Sequence, residues 1–189
     1  RLVSSAASDV YKRQILHLLK GLSKKNTIIQ IVKRFIASGF GVGLFWEAFF
    51  KNKKGGGTFA SLLLIFEIYF GNSLFGIWNT LNLFILFIVL IILYFVTVDD
   101  DDASSDPSWI TLDEICGMSL VTIGSGAELL PLLSGFLVFR LSDILKQPSF
   151  VGELEKLPGK LGVLYDDLGA GFIGLISAMI VNQIIQITL

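Results

Sequence analysis

The chain has 189 residues, of which 53% are hydrophobic and 16% are charged, and its mean hydropathy is +0.72. This composition excludes an ordinary soluble domain and favours a protein of the lipid bilayer. The formal net charge of −1 provides no positive field that would attract nucleic acid. The single cysteine, Cys116, excludes an internal disulfide and a cysteine zinc site. Any catalytic triad would have to use the single histidine, His17.

The N-terminal part of the chain is basic, since residues 1–54 contain eleven of the fifteen Lys and Arg but only two acidic residues. Residues 1–14 have neither an initiating Met nor the apolar core of a signal peptide, and we expect a non-native or disordered leader. Residues 15–36 mix apolar with basic side chains, which predicts a basic amphipathic segment on an anionic membrane surface. A soluble helix pair that packs on the rest of the chain remains open. The basic excess favours a cytoplasmic N-terminus.

Glycines punctuate the next segment at Gly39, Gly41 and Gly43. Such spacing is a weak signal for a phosphate-binding loop, but no G-K-[ST] sequence follows it. A helix-breaking loop is therefore the favoured interpretation.

Residues 59–98 carry the strongest membrane signal, because Glu67 is their only charged residue. One crossing needs about 20 residues, so this run predicts two spans joined by a turn near residues 71–73 or residues 79–80. We expect Glu67 to lie against protein or near the end of a span.

Acidic residues follow the membrane run. The four aspartates at 99–102 repel one another, which predicts a solvated loop. Asp106 and Pro107 are typical of a helix start, with Asp106 as the cap. Asp113 would then lie two turns further along the same helix face, beside Glu114.

Residues 115–123 are uncharged and residues 129–139 are apolar, and a break that begins at Gly124-Ser125-Gly126 separates them, which predicts a helical hairpin that turns at 124–128. The hairpin would bring Arg140, Asp143 and Lys146 to the level of Asp113 and Glu114. Pro148 should end the second helix.

A polar loop is expected over residues 149–162. A last helix is predicted from about Val163 to the chain end, and it carries Asp166 and Asp167 near its start. The fold class is therefore all-α: an integral-membrane helical bundle of short hairpins with a C-terminal transmembrane helix. In this topology the three acidic stretches share the cytoplasmic face.

Six carboxylates would meet at that face: Asp106, Asp113, Glu114, Asp143, Asp166 and Asp167. Unpaired, they would repel one another, whereas a hard cation such as Mg²⁺ takes oxygen ligands of this kind. Arg140 and Lys146 could hold phosphate oxygens. The competing interpretation is a set of structural ion pairs, Arg140–Asp143 and Lys146–Asp143.

Four motifs in this order resemble the bacterial phosphatidylglycerophosphatase A family. The first is matched by Gly39, Phe40, Gly41 and Gly43, with Gly57, Thr58, Ser61 and Leu62. The others are matched by Asp106, Ile110, Asp113, Glu114 and Gly117, by Phe139, Arg140, Asp143 and Lys146, and by Gly162, Asp166, Asp167, Ala170 and Gly171. Gly56, Gln147 and Lys160 depart from the family pattern.

The resemblance implies a Mg²⁺-dependent lipid phosphatase that converts phosphatidylglycerophosphate to phosphatidylglycerol and phosphate. It implies a multi-pass protein of the bacterial inner membrane with its active site facing the cytoplasm, and a family domain over residues 37–189. The expected metal ligands are Asp106, Asp113, Glu114, Asp143 and Asp167. The expected catalytic residues are Asp113, Asp143, Asp166 and Asp167, and the expected phosphate-binding residues are Arg140 and Lys146. Which carboxylate binds metal and which acts as a base stays open.

Two alternatives compete with this hypothesis. A CDP-alcohol phosphotransferase would need an Arg that the D-D-L-G-A-G sequence at 166–171 lacks. A non-enzymatic membrane transporter or assembly protein could use the acids as a cation path, but such acids should lie deep within the spans.

Overall fold

The structure, a computed structural model, describes residues 27–50, 55–103 and 107–188. Every regular element in these ranges is an α-helix, which confirms the all-α prediction. The helices are α1 Thr27–Ala37, α2 Val42–Phe50, α3 Gly56–Phe75, α4 Thr80–Thr97, α5 Asp100–Ala103, α6 Leu112–Ser125, α7 Leu129–Leu145, α8 Ser149–Glu155 and α9 Lys160–Thr188. The chain divides into two compact units, residues 1–34 and residues 35–189, and the following concerns the second. The predicted leader and most of the basic segment at 15–36 lie outside the described residues.

Three helices are long and apolar enough to cross a membrane: α3, α4 and α9. A fourth candidate exists only if α1 and α2 are taken together across the break between them. Large apolar side chains such as Phe66, Leu81 and Ile180 stand exposed on the three spans. Such surfaces are unfavourable in water and are normal against lipid, so the C-terminal transmembrane helix is confirmed.

The connection from α3 to α4 confirms the second of the two predicted turn positions. Gly76 ends α3 in the left-handed conformation, with its N–H bonded to the Asn72 carbonyl. Asn79 caps α4 by accepting a hydrogen bond from the Asn82 N–H at 2.9 Å. Residues 71–73 therefore remain helical.

Glu67 differs from its expected place. It lies in the middle of α3 and is exposed, because α3 buries another face, which includes Ala60, Leu64 and Ile68. The expectation that it lies against protein or near an end was wrong.

The glycine-rich segment is a turn between α1 and α2. Gly39, Phe40 and Gly41 all have positive φ angles, a conformation that ends a helix. This agrees with the helix-breaking interpretation. The turn packs beside the start of α6, where the Thr111 N–H bonds to the Ala37 carbonyl at 3.3 Å.

The helix start predicted at Pro107 was wrong, because α6 begins only at Leu112. The Ile110 N–H bonds to the Pro107 carbonyl at 3.1 Å in a turn, and the Thr111 N–H bonds to the distant Ala37 carbonyl. Residues 107–111 therefore do not form the first turns of α6. Asp113 therefore does not lie two helical turns beyond Asp106. Asp106 itself lies outside the described residues.

The predicted hairpin is present as α6 and α7, joined through Gly126 in the left-handed conformation. Two expected loops were wrong. Residues 149–155 form α8, because Val151 buries itself completely against the bundle. The aspartates at 99–102 are exposed as expected, but Asp100 begins the short helix α5.

Close backbone contacts join α9 to the hairpin. A Cβ added at Gly171 would lie 2.5 Å from the Gly117 carbonyl oxygen of α6. A Cβ added at Gly174 would lie 2.6 Å from the Gly135 carbonyl oxygen of α7. Small residues permit this approach between membrane helices. They also determine the position of α9 along its axis relative to α6 and α7.

A second contact, which we call the latch, joins the end of α4 to the start of α9 through Tyr94, Asp100 and Lys160. The Tyr94 hydroxyl donates to the Lys160 carbonyl at 2.8 Å, and the Lys160 N–H donates to Asp100 Oδ1 at 3.0 Å. Lys160 Nζ donates to the carbonyls of Phe95 and Val98, both at 3.0 Å. The latch satisfies terminal groups of both helices and starts α9 three residues before the predicted Val163.

Replacing Lys160 by Met should destabilise the protein because it removes both bonds to the α4 carbonyls and keeps the length of the side chain. We expect a loss of about 1 kcal/mol in the free energy of unfolding, since the half-buried ammonium is partly solvated. Thermal unfolding in detergent measures it. Lys156→Met is the matched control, because the exposed Lys156 side chain pairs with the equally exposed Glu153. Equal losses in both variants would contradict the role of the latch.

Candidate active site

A cavity of about 1110 Å³ lies where α3, α6 and α9 begin and α7 ends. Its wall includes residues 55–58 at the start of α3 and the end of α7. Because the three spans alternate in direction, these helix ends lie at the same side of the bundle. The cavity is therefore at one edge of the membrane domain.

Three carboxylates meet in this cavity, and we call them the carboxylate cluster: Asp113, Glu114 and Asp167. The first turn of α6 contributes two of them and α9 the third. One oxygen of each lies within 4.8 Å of the others. A Cβ added at Gly117 would lie 2.7 Å from the Asp167 carbonyl oxygen, so the close approach of α6 and α9 brings the cluster together.

The cluster has the properties of a cation site. Among the described residues, Glu114 Oε2 and Asp167 Oδ1 are buried without a hydrogen-bond partner. Burial, reinforced by the charges of Asp113 and Asp167, raises the pKa of Glu114 well above its usual range. Burying charged oxygens together costs several kcal/mol unless a cation compensates them.

The ligand chemistry suits a hard divalent ion. Mg²⁺ prefers oxygen ligands and is often bound through one or two carboxylates. The three side chains of the cluster would hold such an ion, because each offers one oxygen within 4.8 Å of the others.

Beside the cluster lies a second group, which we call the ionic chain: Arg140, Asp143, Lys146 and Asp166. Arg140 Nη1 lies 2.9 Å from Asp143 Oδ2, and Lys146 Nζ lies 3.2 Å from Asp143 Oδ1. Lys146 Nζ also pairs with Asp166 Oδ2. Both ion pairs foreseen as the competing interpretation therefore exist, and they stand beside the cluster without replacing it.

The two cations of the ionic chain line the cavity. Burial alone would lower the pKa of Lys146, but its bond to Asp166 and the charge of Asp143 outweigh this and raise the pKa. The ammonium is therefore held in its charged form. Arg140 Nε is buried and has no hydrogen-bond partner among the described residues. An unsatisfied guanidinium donor and a charged ammonium are groups that bind phosphate oxygens.

The predicted site residues thus fall into three sets. Asp113, Glu114 and Asp167 form the carboxylate cluster. Asp143 and Asp166 pair with the two cations and line the same cavity, and their predicted catalytic and ligand roles stay predictions. Asp106 lies outside the described residues, so its predicted role as a ligand stays a prediction.

One neighbour of the cluster received no role from the sequence. A Cβ added at Gly57 would overlap the Glu114 carboxyl group. Gly57 and Thr58 belong to the first family motif. The sequence signal that could have revealed the role of Gly57 was a glycine at the start of an apolar span. Glu47, also without an assigned role, lines the cavity as well.

An all-helical membrane domain with a carboxylate cluster beside two cations defines a protein class: integral-membrane proteins with a polar site that could hold a metal ion next to a phosphate group. The family model described as phosphatidylglycerophosphatase A matches residues 35–182, so the chain belongs to this family. It is a phosphoric monoester hydrolase with a phospholipid substrate. Comparisons with curated proteins and with solved structures gave no match. Membership decides against the phosphotransferase and transporter alternatives.

Gly57→Ala should damage the site, because the added methyl group cannot be placed without moving the Glu114 carboxyl group. We expect phosphatase turnover to fall at least about tenfold, since small displacements of catalytic groups have large effects on rate. Gly152→Ala in α8 is the matched control, because its Cβ would make only an ordinary contact, 3.6 Å from Lys146 Cβ. The assay is phosphate release in detergent. Unchanged turnover in Gly57→Ala would contradict the tight packing of Glu114.

Proposed function

We propose that the protein removes the terminal phosphate of phosphatidylglycerophosphate in a Mg²⁺-dependent reaction of phospholipid biosynthesis, giving phosphatidylglycerol and inorganic phosphate. The observation that carries this proposal is the carboxylate cluster, whose buried oxygens lie within 4.8 Å of one another. Family membership supports the choice of substrate.

Asp113, Glu114 and Asp167 would hold the metal ion. When bound, Mg²⁺ polarises the phosphoryl group and lowers the pKa of a water molecule. The predictions that Asp106 and Asp143 are further ligands stay predictions, and Asp143 also orients the two cations.

Arg140 and Lys146 bind the oxygens of the substrate phosphate in this proposal. Arg140 offers a planar set of donors and Lys146 a compact charge. Asp143 lies between them and holds both side chains at the cavity wall, which reduces the entropy lost when phosphate binds.

The reaction is an attack of water on phosphorus, with cleavage of the bond to the glycerol oxygen. The water transfers a proton to a carboxylate, and the glycerol oxygen takes up a proton from solvent water as it leaves, so that the protons balance. We assign the base to Asp166, because it lines the cavity outside the carboxylate cluster and pairs with Lys146, whereas Asp143 pairs with both Arg140 and Lys146. Lys146, bonded to Asp166, keeps this carboxylate in place.

The same proposal places the protein in the bacterial inner membrane, with the cavity on the cytoplasmic side. The basic N-terminal segment supports this orientation, because Lys and Arg accumulate on that side. In this proposal residues 37–189 act as the membrane domain and residues 15–36 bind the anionic lipid surface.

The purified protein in detergent should release phosphate from phosphatidylglycerophosphate when Mg²⁺ is present. EDTA should abolish the release, and added Mg²⁺ should restore it, because the cluster carboxylates lose their cation in chelator. Colorimetric phosphate measurement reports both results. Equal release in EDTA, or no release with Mg²⁺, would overturn the proposed function.

Asp167→Asn should lower turnover at least about 100-fold by removing a metal ligand. In EDTA it should unfold at the same or a higher temperature than the parent, because one of three mutually repelling buried charges is gone. Mg²⁺ should raise the unfolding temperature of the parent but not of this variant.

The control for this substitution is Asp99→Asn, an exposed aspartate of the acidic run that does not line the cavity. It should keep both its turnover and its Mg²⁺ response. Equal damage from Asp99→Asn would show that the acidic run takes part in the site.

A further inference from the structure

The wall of the cavity is not closed on the side of α7. Two large apolar side chains line the cavity while standing exposed on the protein surface, Ile144 at 66% and Leu157 at 40%. The other apolar lining residues include Ala103 and Ile110, which are buried, and Val163, which is half-buried. The cavity therefore reaches the surface between the end of α7 and the segment that joins α8 to α9.

This opening continues an apolar surface of α7. Leu137, Leu141 and Ile144 are spaced by three or four residues, so they share one helix face, and all three are exposed. The stripe runs along α7 towards its C-terminal end, where Ile144 follows Asp143 directly and lines the cavity. An exposed apolar stripe of this kind contacts lipid chains in a membrane protein.

Charged and apolar groups lie side by side at the opening. Arg140 precedes Ile144 by one helical turn, and the cations of the ionic chain line the inside of the cavity. A diacyl lipid with a terminal phosphate needs this combination, because its charged headgroup must leave the apolar phase while its chains remain there.

We propose that the opening between Ile144 and Leu157 is the lateral portal through which the diacyl substrate reaches the cavity, with the two side chains holding the acyl chains next to the glycerol. This portal deepens the proposed phosphatase function and rests on it. It makes Ile144 and Leu157 specificity residues for the acyl part of the substrate, distinct from the groups that bind phosphate.

The test compares Ile144→Asn and Leu157→Asn with Leu145→Asn. Leu145 is 61% exposed on the same helix but does not line the cavity, so it is the matched control. Each full-length protein is assayed with dioleoyl phosphatidylglycerophosphate in mixed micelles and with soluble dihexanoyl phosphatidylglycerophosphate. For the dioleoyl lipid, kcat/KM should fall about tenfold in the two portal variants, because an amide replaces an apolar contact with the chains. Leu145→Asn should stay within about twofold of the parent.

The soluble substrate separates the portal from the chemistry. With dihexanoyl lipid all three variants should match the parent within about twofold, which also shows that they are folded. Equal losses on both substrates, or an equal loss in Leu145→Asn, would overturn the portal. A parent protein inactive on both lipids would overturn the proposed phosphatase function instead.

Discussion

The fold depends on holding three buried carboxylates within reach of one another against their mutual repulsion. Asp113 and Glu114 are adjacent on α6, whereas Asp167 comes from α9. Bringing the negative charge of Asp167 next to the other two carboxylates is electrostatically unfavourable. The glycine contacts between α9 and the α6–α7 hairpin supply the opposing constraint, because they let the backbones pack closely over several turns. Favourable packing along the helices thus offsets the electrostatic repulsion among the carboxylates at their ends.

Asp166 and Asp167 lie near the start of the long helix α9, so their position depends on how this helix end is held. The latch holds it against the end of α4 by pairing groups that each helix terminus leaves unsatisfied. Lys160, which departs from the family pattern, has a clear structural role here, and Asp100 gives the exposed acidic run a function in the fold. Neither residue touches the carboxylate cluster, yet both determine where α9 begins.

The ionic chain and the carboxylate cluster line the same cavity but offer different binding groups. In the cluster, oxygens are left without internal donors among the described residues, which is favourable only when a cation is present. In the ionic chain, Asp143 and Asp166 already compensate Lys146, while Arg140 retains an unsatisfied donor. The apolar opening at Ile144 adds a third region, so that in the proposed function phosphate, metal and acyl chain would each meet groups of matching chemistry.

The sequence by itself determined the all-helical membrane fold, the hairpin over residues 115–139 and the meeting of Asp113 and Glu114 with Asp167. Hydrophobic runs of set length and acids at their ends carry that information locally. Only the tertiary structure decided that Asp166 pairs with Lys146, that α6 begins at Leu112, that α8 exists and that Glu67 is exposed. The first three features depend on contacts between separate segments: Lys146 with Asp166, Thr111 with Ala37, and Val151 with the bundle. Helical spacing describes neighbours within one element, and it carries no information about which face another helix will cover.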